Sequence, residues 1–353
     1  MPEVPEFLAA RMPFASPALP VRNYRLGSPM STEKINNTIV TIGDIHYLWG
    51  IFLLIASARK AGMREPFLVG CKNFTAEARG VLEQLGDVSL VPLDGTVRSL
   101  ACYKPQVMLQ AETEYVTWAD SDAFFTGNVS ELLLPEKPEE IHFRMRAPRE
   151  LPGLSWKQFF SGDFRMVPKA VLEEWRRDVK QVGPLAADAP RFTSTGSTCF
   201  CSLSLKRHRH FLEEWQALQE RVLPERDVGV ADRSLRFYPQ LDESTLNACL
   251  AYLEDAPQIQ PIFRMDKERE RLFVHFIARP KPWEGWTKRA FTFFDEYVAV
   301  VEWAVHQGYI LPGTIPFYLQ AKNKQLLRWF IPWMTLKPKV LKRFRRFCEL
   351  VFH

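Results

Sequence analysis

From residue 38 onward the chain alternates short apolar runs with longer amphipathic stretches. Thr38-Ile39-Val40-Thr41-Ile42 is β-branched and predicts a strand. A Gly43-Asp44 turn follows, then an apolar stretch over 47–61 that predicts a buried helix. Its apolar core, 48–58, is too short to span a bilayer. Further strands are predicted at 67–69, 88–91 and 115–119, with helices at 75–85 and 102–112 between them. Residues 139–192 are less regular, with one helix predicted at 169–180. A Ser/Thr/Cys-rich strand is predicted within 192–205 around Gly196, then a helix at 209–221. A second apolar helix over 239–253 opens with Asp242-Glu243-Ser244, and a late strand is predicted at 272–276. Strand and helix in alternation predict an α/β fold with a mostly parallel sheet flanked by helices.

The flanks differ from this middle part. Residues 1–35 hold prolines at 2, 5, 13, 17 and 20 and sustain no period, so a poorly ordered arm is expected there. Residues 36–290 are expected to form the main α/β domain. Residues 291–353 read as a helical appendage, opening with an amphipathic helix at 291–306.

Ligands of parallel sheets collect beyond the carboxyl ends of the strands. Asp44 and the step Asp120-Ser121-Asp122 both lie at such ends. Two carboxylates one residue apart aim hard oxygen ligands into one small space. A divalent cation that also carries phosphate oxygens requires this arrangement.

Composition narrows the class. With 46% hydrophobic and 25% charged residues the chain is an ordinary globular protein. Its six cysteines have neither a zinc-site spacing nor a disulfide framework, so reduced thiols in a cytoplasmic protein are expected. Glu3, Glu6 and the early prolines are unlike a secretory leader. The net charge of +5 is unevenly placed: residues 321–353 carry nine Lys/Arg and one acid, leaving 37 basic and 40 acidic residues elsewhere.

Four pieces stand in order: the strand–turn leading to Tyr47, Asp120-Ser121-Asp122, Asp242-Glu243-Ser244-Thr245-Leu246-Asn247, and His275-Phe276-Ile277-Ala278-Arg279-Pro280-Lys281-Pro282-Trp283. Together they resemble the retaining GT-A glycosyltransferases of glycosyltransferase family 8, which includes glycogenin and bacterial lipopolysaccharide galactosyltransferases. The last piece resembles that family's H-F-x-G-x-x-K-P-W signature, with Ala278 in place of glycine. The resemblance covers 38–290 in patches and implies a GT-A fold.

It also implies roles. Asp120, Asp122 and His275 would bind a divalent metal, Mn²⁺ or Mg²⁺. Lys281 would neutralise the nucleotide diphosphate, Lys104 and Asp120 would contact the donor, and Tyr47 would lie against the base. Two segments compete for the family's N-S-G strand, Ser161-Gly162 and Thr195-Gly196, and the second leads more directly to the Asp242 helix. Asp242 would contact the donor sugar. Glu243, a carboxylate where the family has an amide, would lie near the anomeric carbon, where it stabilises an oxocarbenium-like centre or attacks it. The function implied is transfer of a hexose from a nucleotide-sugar, most simply a UDP-sugar, to a glycan or glycolipid, with retention.

The departures Ala278, Glu243 and the missing Asn also suit a catalytically silent relative that binds a nucleotide-sugar or a partner. A nucleotidyltransferase would open with a Gly-rich basic loop, unlike Gly43-Asp44-Ile45-His46-Tyr47. In the appendage, Leu326 to Met334 mixes aromatic bulk with cations, and 337–353 interleaves basic and apolar residues. This pattern suits peripheral attachment to an anionic membrane surface on the cytosolic face. No nucleic-acid recognition fold accompanies the charge.

Overall fold

The protein is described by a computed structural model over residues 36–145, 156, 159–160, 166–191, 196–229, 231–232, 234–262, 271–277 and 279–334. The arm at 1–35, the Ser161-Gly162 segment, Thr195, Ala278 and the basic tail from 335 lie outside the described residues.

Strands β1 (Asn37–Asp44), β2 (Phe67–Lys72), β3 (Val88–Pro92) and β4 (Tyr115–Ala119) pair in parallel in the order β3-β2-β1-β4. Strand β5 (Ala123–Phe125) follows β4 directly and belongs to a separate ribbon. The main sheet continues through β7 (Gly196–Ser204), β6 (Glu140–Met145) and β8 (Gln258–Pro261). β6 and β8 are parallel, while β7 runs antiparallel to both its neighbours. This reversal matters for the site. The entry of β7 lies beside the exit of β4, and the Asp120 amide donates to the Cys199 carbonyl at 3.0 Å.

Helices cover both faces, each over its own hydrophobic cluster. On one face lie α1 (Leu48–Lys60), α2 (Ala76–Glu83) and two C-terminal helices; on the other lie α3 (Lys104–Met108) and the helices around β7. Short helices α4 (Ser130–Leu133) and α6 (Pro184–Asp188) bracket α5 (Lys169–Asp178). Then come α7 (Leu205–Val222) and α8 (Leu241–Tyr252), and finally α9 (Phe294–His306) and α10 (Lys324–Met334).

α1 is apolar all round because it is buried all round, between the sheet and α9. The Thr75 hydroxyl caps α2 by accepting from the Ala78 amide at 3.2 Å. The helix predicted at 102–112 is shorter than expected. A 3-10 turn at Leu100–Tyr103 precedes α3, and the amides of Gln110 and Ala111 donate three residues back, which tightens and ends the helix.

The late strand is β9 (Phe273–His275), and it pairs antiparallel with β5 outside the main sheet, placing His275 opposite Ala123. The C-terminal helices pack on the α/β core. Leu327, Ile331 and Met334 of α10 are buried, and the Trp286 indole donates to the Tyr318 carbonyl at 2.8 Å. The other face of α10 exposes Trp329 (79%) and Trp333 (57%). No helix among the described residues is long and apolar enough to cross a membrane.

Candidate active site

A cleft of about 620 Å³ opens beyond the carboxyl ends of β1 and β4. Asp120 leaves β4, Asp122 enters β5, and His275 ends β9. The β5–β9 ribbon sets their approach: the Phe276 amide donates to the Asp122 carbonyl at 3.0 Å. One ligand atom from each of the three lies within 4.8 Å of the others. His275 Nε2 is 3.1 Å from Asp122 Oδ1 and 3.4 Å from Asp120 Oδ2.

Charge is concentrated at this point. Burial alone pushes the His275 imidazole down, but the Asp122 carboxylate and the neighbouring Cys199 outweigh it and carry it up to about 10. Burial alone would likewise push the Asp122 carboxyl up; the His275 and Lys281 charges hold it well below the usual carboxylate range. A centre that charges a buried imidazole would attract a divalent cation in the same way. Two carboxylate oxygens and one imidazole nitrogen form a donor set that suits Mn²⁺ or Mg²⁺, the nitrogen favouring Mn²⁺.

Two lysines flank the centre. The Lys281 ammonium donates to Asp122 Oδ2 and, at 2.6 Å, to the Phe276 carbonyl. Lys104 Nζ lies 2.8 Å from both Asp120 Oδ1 and Asp242 Oδ2. It also donates to the Thr198 carbonyl at 3.2 Å. Burial of Lys104 opposes its charge, but Asp120 and Asp242 raise its pKa above the ordinary lysine value. The Thr198 hydroxyl donates to Asp242 Oδ2 at 2.6 Å, and the Trp118 indole donates to Asp120 Oδ1 at 2.8 Å. The Trp118 ring also lies 4.8 Å from Lys104 Nζ, within cation–π range.

The acidic helix start is held under strain. Leu241, just before Asp242, has φ +42°, a left-handed conformation that costs a branched residue about 1–3 kcal/mol. One turn on, Asn247 clamps the helix to β7. Its Oδ1 accepts from the Gly196 amide at 2.9 Å, and its Nδ2 donates to the Gly196 carbonyl at 3.1 Å. Gly196 is required by space, since a Cβ there would lie 1.9 Å from the Phe143 ring. On the other wall, a Cβ at Gly50 would meet the Ser121 carbonyl oxygen at 2.4 Å, so α1 supports the Asp-Ser-Asp turn at closest approach.

Asp120, Asp122, His275, Lys104, Lys281, Asp242, Glu243 and Tyr47 thus meet in one cleft, although up to 234 residues separate them. Tyr47 stands edge-on to Trp283 with ring centroids 5.8 Å apart, and its hydroxyl accepts from Arg279 at 3.5 Å. Gly196 opens β7, whose cleft-facing residues are Ser197, Thr198 and Cys199. Sequence reasoning passed over Trp118 and Thr198. Within buried strands both read as core, and only their position next to charged residues in the fold reveals their bonds.

No family profile matches the chain, and no curated protein matches it in sequence. Solved structures do match in fold. A bifunctional glycosyltransferase, WbbM, in its apo form aligns over 85% of this chain at 13% identity with a TM-score of 0.50; the alignment spans 53% of that protein. The galactosyltransferase LgtC, in complex with donor and acceptor sugar analogues, aligns over 77% of this chain and 100% of its own length, at 10% identity and a TM-score of 0.50. The chain therefore has the GT-A glycosyltransferase fold, a mostly parallel Rossmann-like sheet flanked by helices.

Proposed function

We propose that the protein is a metal-dependent glycosyltransferase that moves a hexose from a nucleotide-sugar, a UDP-sugar by preference, to a glycan or glycolipid acceptor with retention. The observation that carries this is the Lys104 bridge, 2.8 Å to Asp120 and 2.8 Å to Asp242. It ties the metal-type carboxylates to the acidic helix start, so that diphosphate and sugar subsites share one cleft.

Asp120, Asp122 and His275 would hold the divalent ion. When bound, that ion supplies positive charge against the diphosphate leaving group. Lys281 adds a second cation, anchored on the Phe276 carbonyl so that it faces the same position. Lys104, the Thr198 hydroxyl and the strained Leu241 turn fix the Asp242 carboxylate for a sugar hydroxyl. Glu243 also lines the cleft wall, and its carboxylate would oppose positive charge at the anomeric carbon or attack it. Tyr47 offers an aromatic wall for the base. The exposed indoles of Trp329 and Trp333, next to the basic tail, support peripheral attachment to an anionic membrane surface.

The test is Mn²⁺-dependent hydrolysis of a panel of nucleotide-sugars, beside Asp120→Ala/Asp122→Ala. Release of one nucleotide, lost in the double variant, supports the proposal and names the donor. Metal-dependent binding without turnover favours a silent binding relative. Neither binding nor turnover with any donor overturns the proposal.

A further inference from the structure

Among the described residues, the Lys and Arg side chains that line the cleft are Lys104, Arg279 and Lys281. The two lysines already have carboxylate partners. Lys104 lies between Asp120 and Asp242, and Lys281 lies on Asp122. Arg279 differs. Among the described residues no carboxylate pairs with it, and its guanidinium donates to the neutral Tyr47 hydroxyl at 3.5 Å. That bond is long, so the guanidinium is loosely held. The side chain is exposed, while Pro280, Lys281, Pro282 and Trp283 after it are buried.

The backbone that carries Arg279 is anchored on both sides. Before it, the Phe276 amide donates to the Asp122 carbonyl at 3.0 Å. After it, the Lys281 ammonium donates to Asp122 Oδ2 and to the Phe276 carbonyl. A free side chain thus leaves a fixed segment beside the metal-type carboxylates. Its contact with Tyr47 points the same way. Burial raises the pKa of the Tyr47 hydroxyl, Asp122 raises it further, and Arg279 opposes both. The hydroxyl therefore feels Asp122 and Arg279 together, which puts the guanidinium on the Asp122 side of the cleft.

Charge gives Arg279 a task. With a divalent ion bound, the ion, Lys104 and Lys281 would exceed Asp120, Asp122 and Asp242 by a single positive charge. A diphosphate carries more negative charge than that. The planar guanidinium fork matches phosphate oxygens and supplies the missing cation. We propose that Arg279 is a phosphate clamp, which leaves the Tyr47 hydroxyl to pair with the diphosphate of the nucleotide beside Lys281. The identity of the diphosphate as part of a nucleotide rests on the function proposed above; the clamp on a diphosphate anion does not.

The test is calorimetric titration of inorganic pyrophosphate and of a panel of nucleoside diphosphates into the full chain and into Arg279→Gln, with Mg²⁺ in excess. Pyrophosphate has no base, so a residue that merely held Tyr47 against the base would not affect its binding. Arg279→Gln should weaken both pyrophosphate and the preferred nucleoside diphosphate by about tenfold. Unchanged binding of both overturns the clamp. Loss with the nucleoside diphosphate alone also overturns it, and assigns Arg279 to holding Tyr47. Loss with pyrophosphate alone, where a nucleoside diphosphate binds unchanged, overturns it as well. If pyrophosphate binding falls in the variant while no nucleoside diphosphate binds the parent, the clamp stands and the nucleotide reading fails. No binding of either probe by the parent overturns both.

Discussion

Replacing Lys104 with methionine removes one buried cation and leaves two carboxylates facing each other across the gap it filled. The side chain keeps nearly the same volume, so the change is electrostatic. Breaking a buried ion pair by removing one partner costs about 3–5 kcal/mol. The two carboxylates share this cost unequally. Asp120 keeps the Trp118 indole at 2.8 Å and is 22% exposed at its side chain. Asp242 keeps only the Thr198 hydroxyl among its side-chain contacts described above, and its side chain is 7% exposed.

Most of the loss therefore falls on Asp242. The retained hydroxyl bond places the total near the lower end, about 3 kcal/mol. For a chain of this size that is a fall in melting temperature of roughly 4 °C. Thermal and urea unfolding of Lys104→Met, Asp242→Asn and the double variant, near neutral pH, form a double-mutant cycle. Asp242→Asn should recover more than half of the Lys104→Met loss at neutral pH. A Lys104→Met protein within about 0.5 kcal/mol of the parent, or no recovery in the double variant, would refute the bridge as the link between the two subsites.

Other expectations follow from single features. Gly196→Ala forces a methyl into the Phe143 ring and should destabilise by about 3 kcal/mol, seen as a lower urea midpoint, while Gly80→Ala, in open space, should not. The Asp122 carboxyl is held low by His275 and Lys281, so its share of stability is present above the unfolded aspartate range, near pH 4, and is lost as pH falls through its lower folded value. Lys281→Met should therefore move the acid-unfolding midpoint to higher pH. Glu243→Gln should lower kcat for donor hydrolysis by about a hundredfold or more with little change in donor KM; unchanged kcat would exclude a nucleophilic Glu243.

The parts of the fold legible in the sequence are those where one residue pattern had one structural meaning. β1, β2, β3 and β4 are apolar runs bounded by turns, and each lies at its predicted place, with ends shifted by at most three residues. β6 was hidden because it alternates His142 and Arg144 with apolar residues yet buries both. The Leu132 carbonyl partners His142 at 2.8 Å, and Cys199 partners Arg144. β8, Gln-Ile-Gln-Pro at the sheet edge, lacks an apolar signature because it has little to bury.

The site was legible through residues whose chemistry is costly elsewhere: paired aspartates at a strand exit and a lysine between prolines. What stayed hidden was the support around them. No spacing indicates that β7 runs antiparallel, and only that direction brings Thr198 against Lys104 and Asp242. Nor does sequence reveal that β9 leaves the main sheet to pair with β5, the step that delivers His275 to Asp122.

The central claim is that Asp120, Asp122 and His275 form a metal centre serving a nucleotide diphosphate. Calorimetric titration of UDP into the protein, with and without Mn²⁺, tests it most directly, with His275→Ala alongside. The account predicts that Mn²⁺ tightens UDP binding by about tenfold or more, and that His275→Ala abolishes the gain. UDP binding of equal strength with and without metal, or a metal effect that survives His275→Ala, would contradict it.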